Sequence, residues 1–446
     1  MKSSFPRSAA DQVDSTHTSG VAEASTTALA PHEVRRALRI SVVEGAVATV
    51  HISITGAIGG SVFLTGFAML LGANSFQLGI LGALPFIGQL TQFVGAYLEE
   101  RVGNRRNLVL YGALSARMIW ALLLSLPFLS FLQGAQLLVF LIGLGLTYAL
   151  NGIAGNAWMS WMSDLVPPHR RGSYFGLRNT IAAVAAMAST YLAGRTLDQF
   201  REQSNEPLGY AVIFGVAVLA ALGAALLIAQ QAEPPLQTHA RVSLTEMFGA
   251  PLRDRSFRNF AATALGWAIA IGIATPFFNA YGLANLKLSF ATMSLMSVVT
   301  SAVSLVSGPL AGQLQDRFGY RITVVGCALG TVILPLGWVF ATPTNLFPLW
   351  LNVIFAGLFW PGLNQGLANI LMERAPATSR GAAIAAYGAL TGFGTLASGI
   401  LGGIIASLVV DAQMAIGPVT ITGFGFLFLL TVLGRAIMVP IFWRTL

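Results

Sequence analysis

The stretch Glu100-Arg101-Val102-Gly103-Asn104-Arg105 follows one apolar run, and Asp316-Arg317-Phe318-Gly319-Tyr320-Arg321 follows another. Acid, Arg, spacer, Gly, spacer, Arg therefore recurs at an offset of 216 (316 minus 100). A second pair agrees: Pro167-Pro168-His169-Arg170-Arg171-Gly172 is echoed by Pro376-Ala377-Thr378-Ser379-Arg380-Gly381, at an offset of 209 (381 minus 172). Two marker pairs at nearly one offset read as two homologous halves. In a membrane chain this places the working site between them.

Composition sets the class. Hydrophobic residues make up 55% of the chain and charged residues 9%, with a mean hydropathy of +0.71, more apolar surface than a water-soluble domain needs. A hydrocarbon core of about 30 Å takes roughly 20 helical residues, and runs such as Leu108 to Phe128 and Val139 to Met159 have that length. These runs are rich in Ala, Leu and Gly and lack the alternating ten-residue pattern of an outer-membrane barrel, which argues against strands. The expectation is an all-α membrane protein of twelve transmembrane helices in two pseudo-symmetric six-helix bundles. The first six segments are predicted near residues 42–71, 77–98, 107–128, 136–162, 174–197 and 209–230. The second six are predicted near 259–283, 290–314, 322–341, 346–372, 381–408 and 418–442. In outline, 1–39 is a disordered cytoplasmic tail, 40–230 the first bundle, 231–258 a polar cytoplasmic linker and 259–446 the second bundle.

Orientation follows from the positive residues, which are retained on the cytoplasmic side near membrane-spanning ends. Arg35, Arg36 and Arg39 precede segment one; Arg101, Arg105 and Arg106 follow segment two; Arg170, Arg171, Arg317, Arg321, Arg374, Arg380 and Arg444 hold equivalent places. The opposite side keeps only Arg195, Arg201 and Lys287. Both termini are thus predicted on the cytoplasmic side of a cell inner or plasma membrane that the chain crosses many times. The net charge of +8 is spread over loop ends rather than gathered on a polar domain. It speaks for topology and anionic lipid head groups as partners, not nucleic acid. Residues 1–31 lack the apolar run of a signal peptide, and the lone Cys327 excludes an intrachain disulfide.

The two loops, above all Gly312-Gln313-Leu314-Gln315-Asp316-Arg317-Phe318-Gly319-Tyr320-Arg321, resemble the loop signature of the major facilitator superfamily, over about residues 40–443. The first-half copy departs from it: Ala96 stands at the expected Gly position, Glu100 replaces the usual Asp, and Gly95 lies one place early, so that close packing there is expected to shift. The resemblance implies a secondary transporter, read as a monomer, working by alternating access. Physically, Glu100 or Asp316 can face N–H groups at a helix N-terminus, worth about 0.3 to 1 kcal/mol. Arg101, Arg105, Arg317 and Arg321 can pair with acids across the cytoplasmic seam, forming a gate, while Gly103 and Gly319 relieve the turns. The plainer reading is that these residues only set topology and turn geometry.

A P-loop is excluded because the only lysines, Lys2 and Lys287, lack its context. No His pair stands at metal-ligand spacing and no Gly-x-Ser-x-Gly elbow occurs. No cofactor, metal or catalytic residue is expected, and an enzyme is the weaker class. The remaining rival is a non-transporting membrane assembly or sensing protein of the same fold.

Candidate solute or proton-pathway residues come from polar groups within apolar segments, where a central charge costs about 2.5 to 3.5 kcal/mol. Glu44 and His51 lie seven apart on one face of segment one, and either could carry protons coupled to solute movement. Otherwise, Glu44 sits at the cytoplasmic edge and His51 only bonds within the bundle. Arg117 either pairs structurally, with Glu44 or helix carbonyls, or meets an anionic solute. Asn151 and Asn156 in segment four correspond to Trp360 and Gln365 in segment ten at the offset of 209. With Asn364 and Asn369 they either fasten helices or line a cavity. Trp158, Trp161 and Trp360 offer aromatic walls for a small organic solute. Asn279 follows Pro276, which weakens its helix and permits a bend. No substrate subfamily is matched.

Overall fold

The computed structural model describes residues 30–57, 60–234, 251–376, 380–409, 411–416 and 419–446. Helix α1 (Pro31–Thr55) begins with Pro31 in its first turn and with Glu33 accepting the Ala30 N–H at 2.9 Å. Residues 31–39, expected in the disordered tail, are therefore helical. The helix stops at Gly56, whose φ of 65° closes it with a bond to the Ile52 carbonyl. Ser61 then caps α2 (Val62–Leu70) by accepting the Leu64 N–H, so segment one is two helices rather than one.

The first part continues with α3 (Ser75–Ala83), α4 (Pro85–Val102), α5 (Arg105–Leu123), α6 (Gln136–Leu165), α7 (Arg171–Glu202) and α8 (Glu206–Ala229). The second part consists of α9 (Arg255–Gly272), α10 (Phe277–Ala284), α11 (Phe290–Phe318), α12 (Tyr320–Val332), α13 (Leu334–Val339), α14 (Phe347–Arg374), α15 (Arg380–Leu408) and α16 (Phe424–Thr445). The break between α9 and α10 falls at Pro276, where the missing N–H was expected to weaken the ladder. Between α15 and α16 an antiparallel hairpin pairs Gln413–Ile416 with Val419–Thr422. This corrects the expected start of segment twelve near 418, which the helix reaches only at Phe424. Ten helical stretches among the described residues are long and apolar enough to cross a membrane.

The packing repeats. In the first part α1 lies against α7 and α8, α6 against α4 and α5, and α5 against α8. In the second, α9 lies against α15 and α16, α14 against α11 and α12, and α12 against α16. Each relation in one part has its counterpart in the other, as the sequence offsets require.

The parts meet mainly through two crossed pairs, α3 with α15 and α7 with α11. Gly79 of α3 faces Gly399 and Gly403 so closely that a Cβ there would stand 2.7 Å from the Gly399 carbonyl oxygen. A Cβ at Gly194 of α7 would meet the Phe290 carbonyl oxygen at 2.8 Å. Both contacts lie toward the ends of the helices remote from the termini. There a single apolar core runs through both parts, joining Phe63, Phe67, Trp120 and Tyr210 to Phe277, Phe290 and Phe428. Toward the terminal face the core divides into two clusters, one around Val109, Trp161 and Leu165 and one around Phe257, Phe260, Leu363 and Phe442. The two parts thus share one apolar core at the far face and have separate cores toward the terminal face.

Candidate functional site

At the terminal side of the first part, α1, α6 and α7 bring three side chains together. Arg178 of α7 donates through Nη2 to Glu44 Oε2 of α1 at 3.2 Å and through Nε to the Ser41 carbonyl at 3.3 Å. Its guanidinium lies over the ring of Trp158 of α6, 4.4 Å from the centroid. Gly45 makes the space, since a Cβ there would come within 2.8 Å of the guanidinium carbon. Glu44 is buried; its ion-pair partner is Arg178, rather than Arg36, Arg39 or Arg117. Arg178 was not singled out in the sequence, standing only a few residues beyond the topology-setting Arg170 and Arg171.

His51 and Arg117 fall elsewhere. His51 Nδ1 lies 3.2 Å from the Ala217 carbonyl oxygen of α8, an arrangement that places the hydrogen on Nδ1, and its ring meets Trp120 edge-on. Arg117 Nη1 donates to the Ala221 carbonyl at 3.0 Å, joining α5 to α8. The second part has an equivalent that the sequence reading missed: buried Arg435 of α16 donates to the Thr331 carbonyl of α12 at 2.8 Å and lies 5.6 Å from the Trp360 ring centroid. Each part thus has one buried arginine bridging its α5–α8 or α12–α16 pair, a packing role for Arg117.

The loop signatures hold two dissimilar corners. Arg105 is fully buried: Nη1 meets Asp164 Oδ2 at 2.6 Å and Nη2 donates to the Pro234 carbonyl at 2.9 Å. Its backbone N–H donates to Glu233 Oε1 at 2.6 Å. The linker start is further tied by Gln231 to the Ala37 carbonyl and by Trp161 Nε1 to the Ala232 carbonyl. Trp161 is accordingly a buried anchor, not a cavity wall. Glu99 points inward, accepting from Asn156 Nδ2 at 3.4 Å and from Ser160 Oγ, while the side chain of Glu100 lies outside the described residues. Close approach falls at Gly95, where a Cβ would stand 2.9 Å from the Ile153 carbonyl oxygen.

The second corner is neutral. Gln315, at the repeat position of Glu99 (99 plus 216), donates to the Gly362 carbonyl at 3.1 Å and accepts from Asn369 Nδ2 at 2.9 Å. Asn369 in turn matches Ser160 (160 plus 209). Asp316 is exposed, and Arg321 reaches the Trp443 carbonyl and ring. Arg101 and Arg317 lie over the neighbouring rings of Tyr97 and Phe318. Gly103 and Gly319 take φ values of 64° and 83° at their turns. Among the described residues, none of these four arginines pairs with an acid of the opposite part, so the expected pairing across the seam is not made in this structure.

Of the segment-four and segment-ten amides, Asn156 and Asn369 fasten helices. Asn151 Nδ2 is buried with no hydrogen-bond partner among the described residues. Asn364 and Gln365 are exposed on α14, and Asn279 is half-buried on α10, beyond the Pro276 break. At the far face, Asp198 of α7 accepts the Phe290 and Ala291 N–H groups at 2.8 Å each. It caps α11 from the opposite part.

A family model described as Major Facilitator Superfamily matches residues 46–398 and, again, residues 269–445. The chain belongs to that superfamily. It is 27% identical over 331 residues to the cis,cis-muconate transport protein of Acinetobacter baylyi, covering 70% of this chain and 74% of that protein. Its fold is shared with the nucleoside transporter NupG, with a TM-score of 0.70, 11% identity and 91% and 99% of the two chains covered. It is shared also with a bacterial homologue of the lysosomal transporter Spinster in an inward-facing, unoccupied conformation, with a TM-score of 0.66, 12% identity and 94% and 98% covered. The protein is a multi-pass membrane transporter of small solutes.

Proposed function

We propose that this chain is a twelve-helix secondary active transporter that moves a small organic acid through the inner membrane by rocking residues 40–230 against 259–446, with 231–258 as linker. Helices α7 and α14, long but more polar or interrupted, complete the count begun by the ten apolar spans. Both termini are assigned to the cytoplasm from the arginines on that face, which makes the present state inward-facing. The observation that carries the reading is the core: one cluster joins both parts at the far face, whereas two separate clusters face the termini. Closure of the terminal face would require the far-face contacts, including Asp198 on α11, to part. The muconate-transporting relative favours an organic acid as cargo, and a proton gradient is the proposed driver, through Glu44 rather than His51. His51 is enclosed by α5 and α8.

The test is uptake of labelled cis,cis-muconate, benzoate and uncharged solutes of similar size into proteoliposomes. We expect accumulation of an acid above equilibrium when the outside is acidic, and its collapse with a protonophore. Uptake indifferent to the pH gradient would remove proton coupling; absence of flux for every solute would remove the transport assignment to these cargoes.

A further inference from the structure

We propose that Arg178 is the anchor for a carboxylate of the transported solute, and that Glu44 occupies this anchor when the site is empty and releases it on taking up a proton. The inference rests on the transporter reading above and gives it a specific binding group.

Arg178 is placed where a solute could reach it. Its carriers α1, α6 and α7 meet on the terminal side of the first part, where the core is divided rather than fused. Its side chain keeps 15% of its surface exposed. Only two of its nitrogens, Nη2 and Nε, have hydrogen bonds among the described residues, and Nη1 is not among the buried polar atoms without a partner. The Nη1 edge therefore keeps accessible surface. Glu44 makes a single bond at 3.2 Å rather than the two-pronged pairing that a guanidinium and a carboxylate can form. Trp158 below and the space at Gly45 hold the guanidinium plane fixed, so the fork is oriented before a ligand arrives.

Charge then supplies the coupling. A solute carboxylate arriving beside ionised Glu44 would place two anions on one guanidinium, which like-charge repulsion opposes. A proton on Glu44 removes that repulsion and frees Nη2, so loading takes up one proton with one carboxylate. Other charged or titratable groups act on Glu44: Tyr174 joins Arg178 from α7, and Arg117 acts on it from α5. His51 lies two turns along α1 itself. The titratable side chains of α8, Glu206 and Tyr210, stand at its far-face end. Arg117 stays fastened to the Ala221 carbonyl and keeps the neighbourhood positive when Glu44 is neutral, which favours an anion over a cation as cargo.

The experiment uses the full-length chain in proteoliposomes, with cis,cis-muconate and benzoate as probes, comparing wild type with R178K, R178Q and E44Q. Monodisperse elution of each variant is checked first. R178Q should raise KM for carboxylate counterflow about tenfold or more, as expected from loss of a charge-assisted hydrogen bond, with R178K intermediate. E44Q should keep counterflow, lose its dependence on pH, and fail to accumulate solute under a proton gradient. Carboxylate transport by R178Q with unchanged KM, or pH-driven accumulation by E44Q, would overturn the inference while leaving the transporter reading intact. Wild-type flux confined to uncharged solutes would overturn the inference and the organic-acid cargo, but not transport itself. Should R178Q fail to elute as a monodisperse species, R178K and E44Q still decide through their KM and pH profiles.

Discussion

The corner around Arg105 and the corner around Arg321 descend from one loop pattern, yet they are built from different chemistry. In the first, a fully buried guanidinium is held by Asp164 and Glu233, and Glu99 accepts from Asn156 and Ser160. In the second, Gln315 and Asn369 do the equivalent work as neutral amides, and the arginine lies exposed on Trp443. Among the described residues no ion pair lies in the second part; each joins residues of the first part or ties it to the linker. The lesson is that the repeat preserves which positions touch, while the kind of contact is free to change. The first corner also fastens the linker; the second has no such duty. The Asp316 signature is the more complete of the two. In this state the stronger set of contacts is on the other side.

Substitutions can break or sharpen this contrast. The largest effect is expected from Arg105→Ala, which leaves Asp164 and Glu233 without their cation and should cost about 3 kcal/mol or more, seen as a large fall in the thermal unfolding midpoint of the purified protein. Gln315→Glu comes next: it gives the neutral corner an acid, removes the donor to the Gly362 carbonyl, and should cost about 1 to 3 kcal/mol in the same measurement. Glu99→Gln imposes the second corner's chemistry on the first and should cost about 1 kcal/mol, provided Ser160 can accept as well as donate. A loss matching that of Arg105→Ala would show that the charge, not the contact pattern, holds this corner. Smallest is Arg321→Ala, where an exposed cation over a ring contributes about 0.5 to 1 kcal/mol. If Arg321→Ala proved as damaging as Arg105→Ala, the contrast would fail.

Much of the fold was legible because hydropathy and the two offsets are properties of long stretches. Helix ends and side-chain phase were not. Arg35, Arg36 and Arg39 lower the hydropathy at the start of α1, which hid a helix beginning at Pro31. Val419-Thr420-Ile421-Thr422 was absorbed into segment twelve, although its alternation of β-branched residues suits the strand it forms. Glu99 and Glu100 are adjacent, and a shift of one residue turns a helical side chain by about 100°. Family register points to Glu100, and the neighbouring Glu99 is the acid that accepts from Asn156 and Ser160. Gly95, one place early, shares the phase of Glu99 and could have drawn attention to it. Arg178 was missed for another reason: its importance lies in meeting Glu44 and Trp158, which are far from it in sequence.

The glycine contacts at the far face bear on how the protein moves between states. Where Gly79 meets Gly399 and Gly403, main chain rests on main chain with no side chain between them to compress or rotate. Such a joint has few intermediate positions. A separation of an ångström forfeits much of the dispersion energy at once, and rigid segments cannot spread the loss gradually. Opening at this seam should therefore be all-or-none, with little population between shut and open, so that a leak through a half-open far face is suppressed by backbone geometry alone.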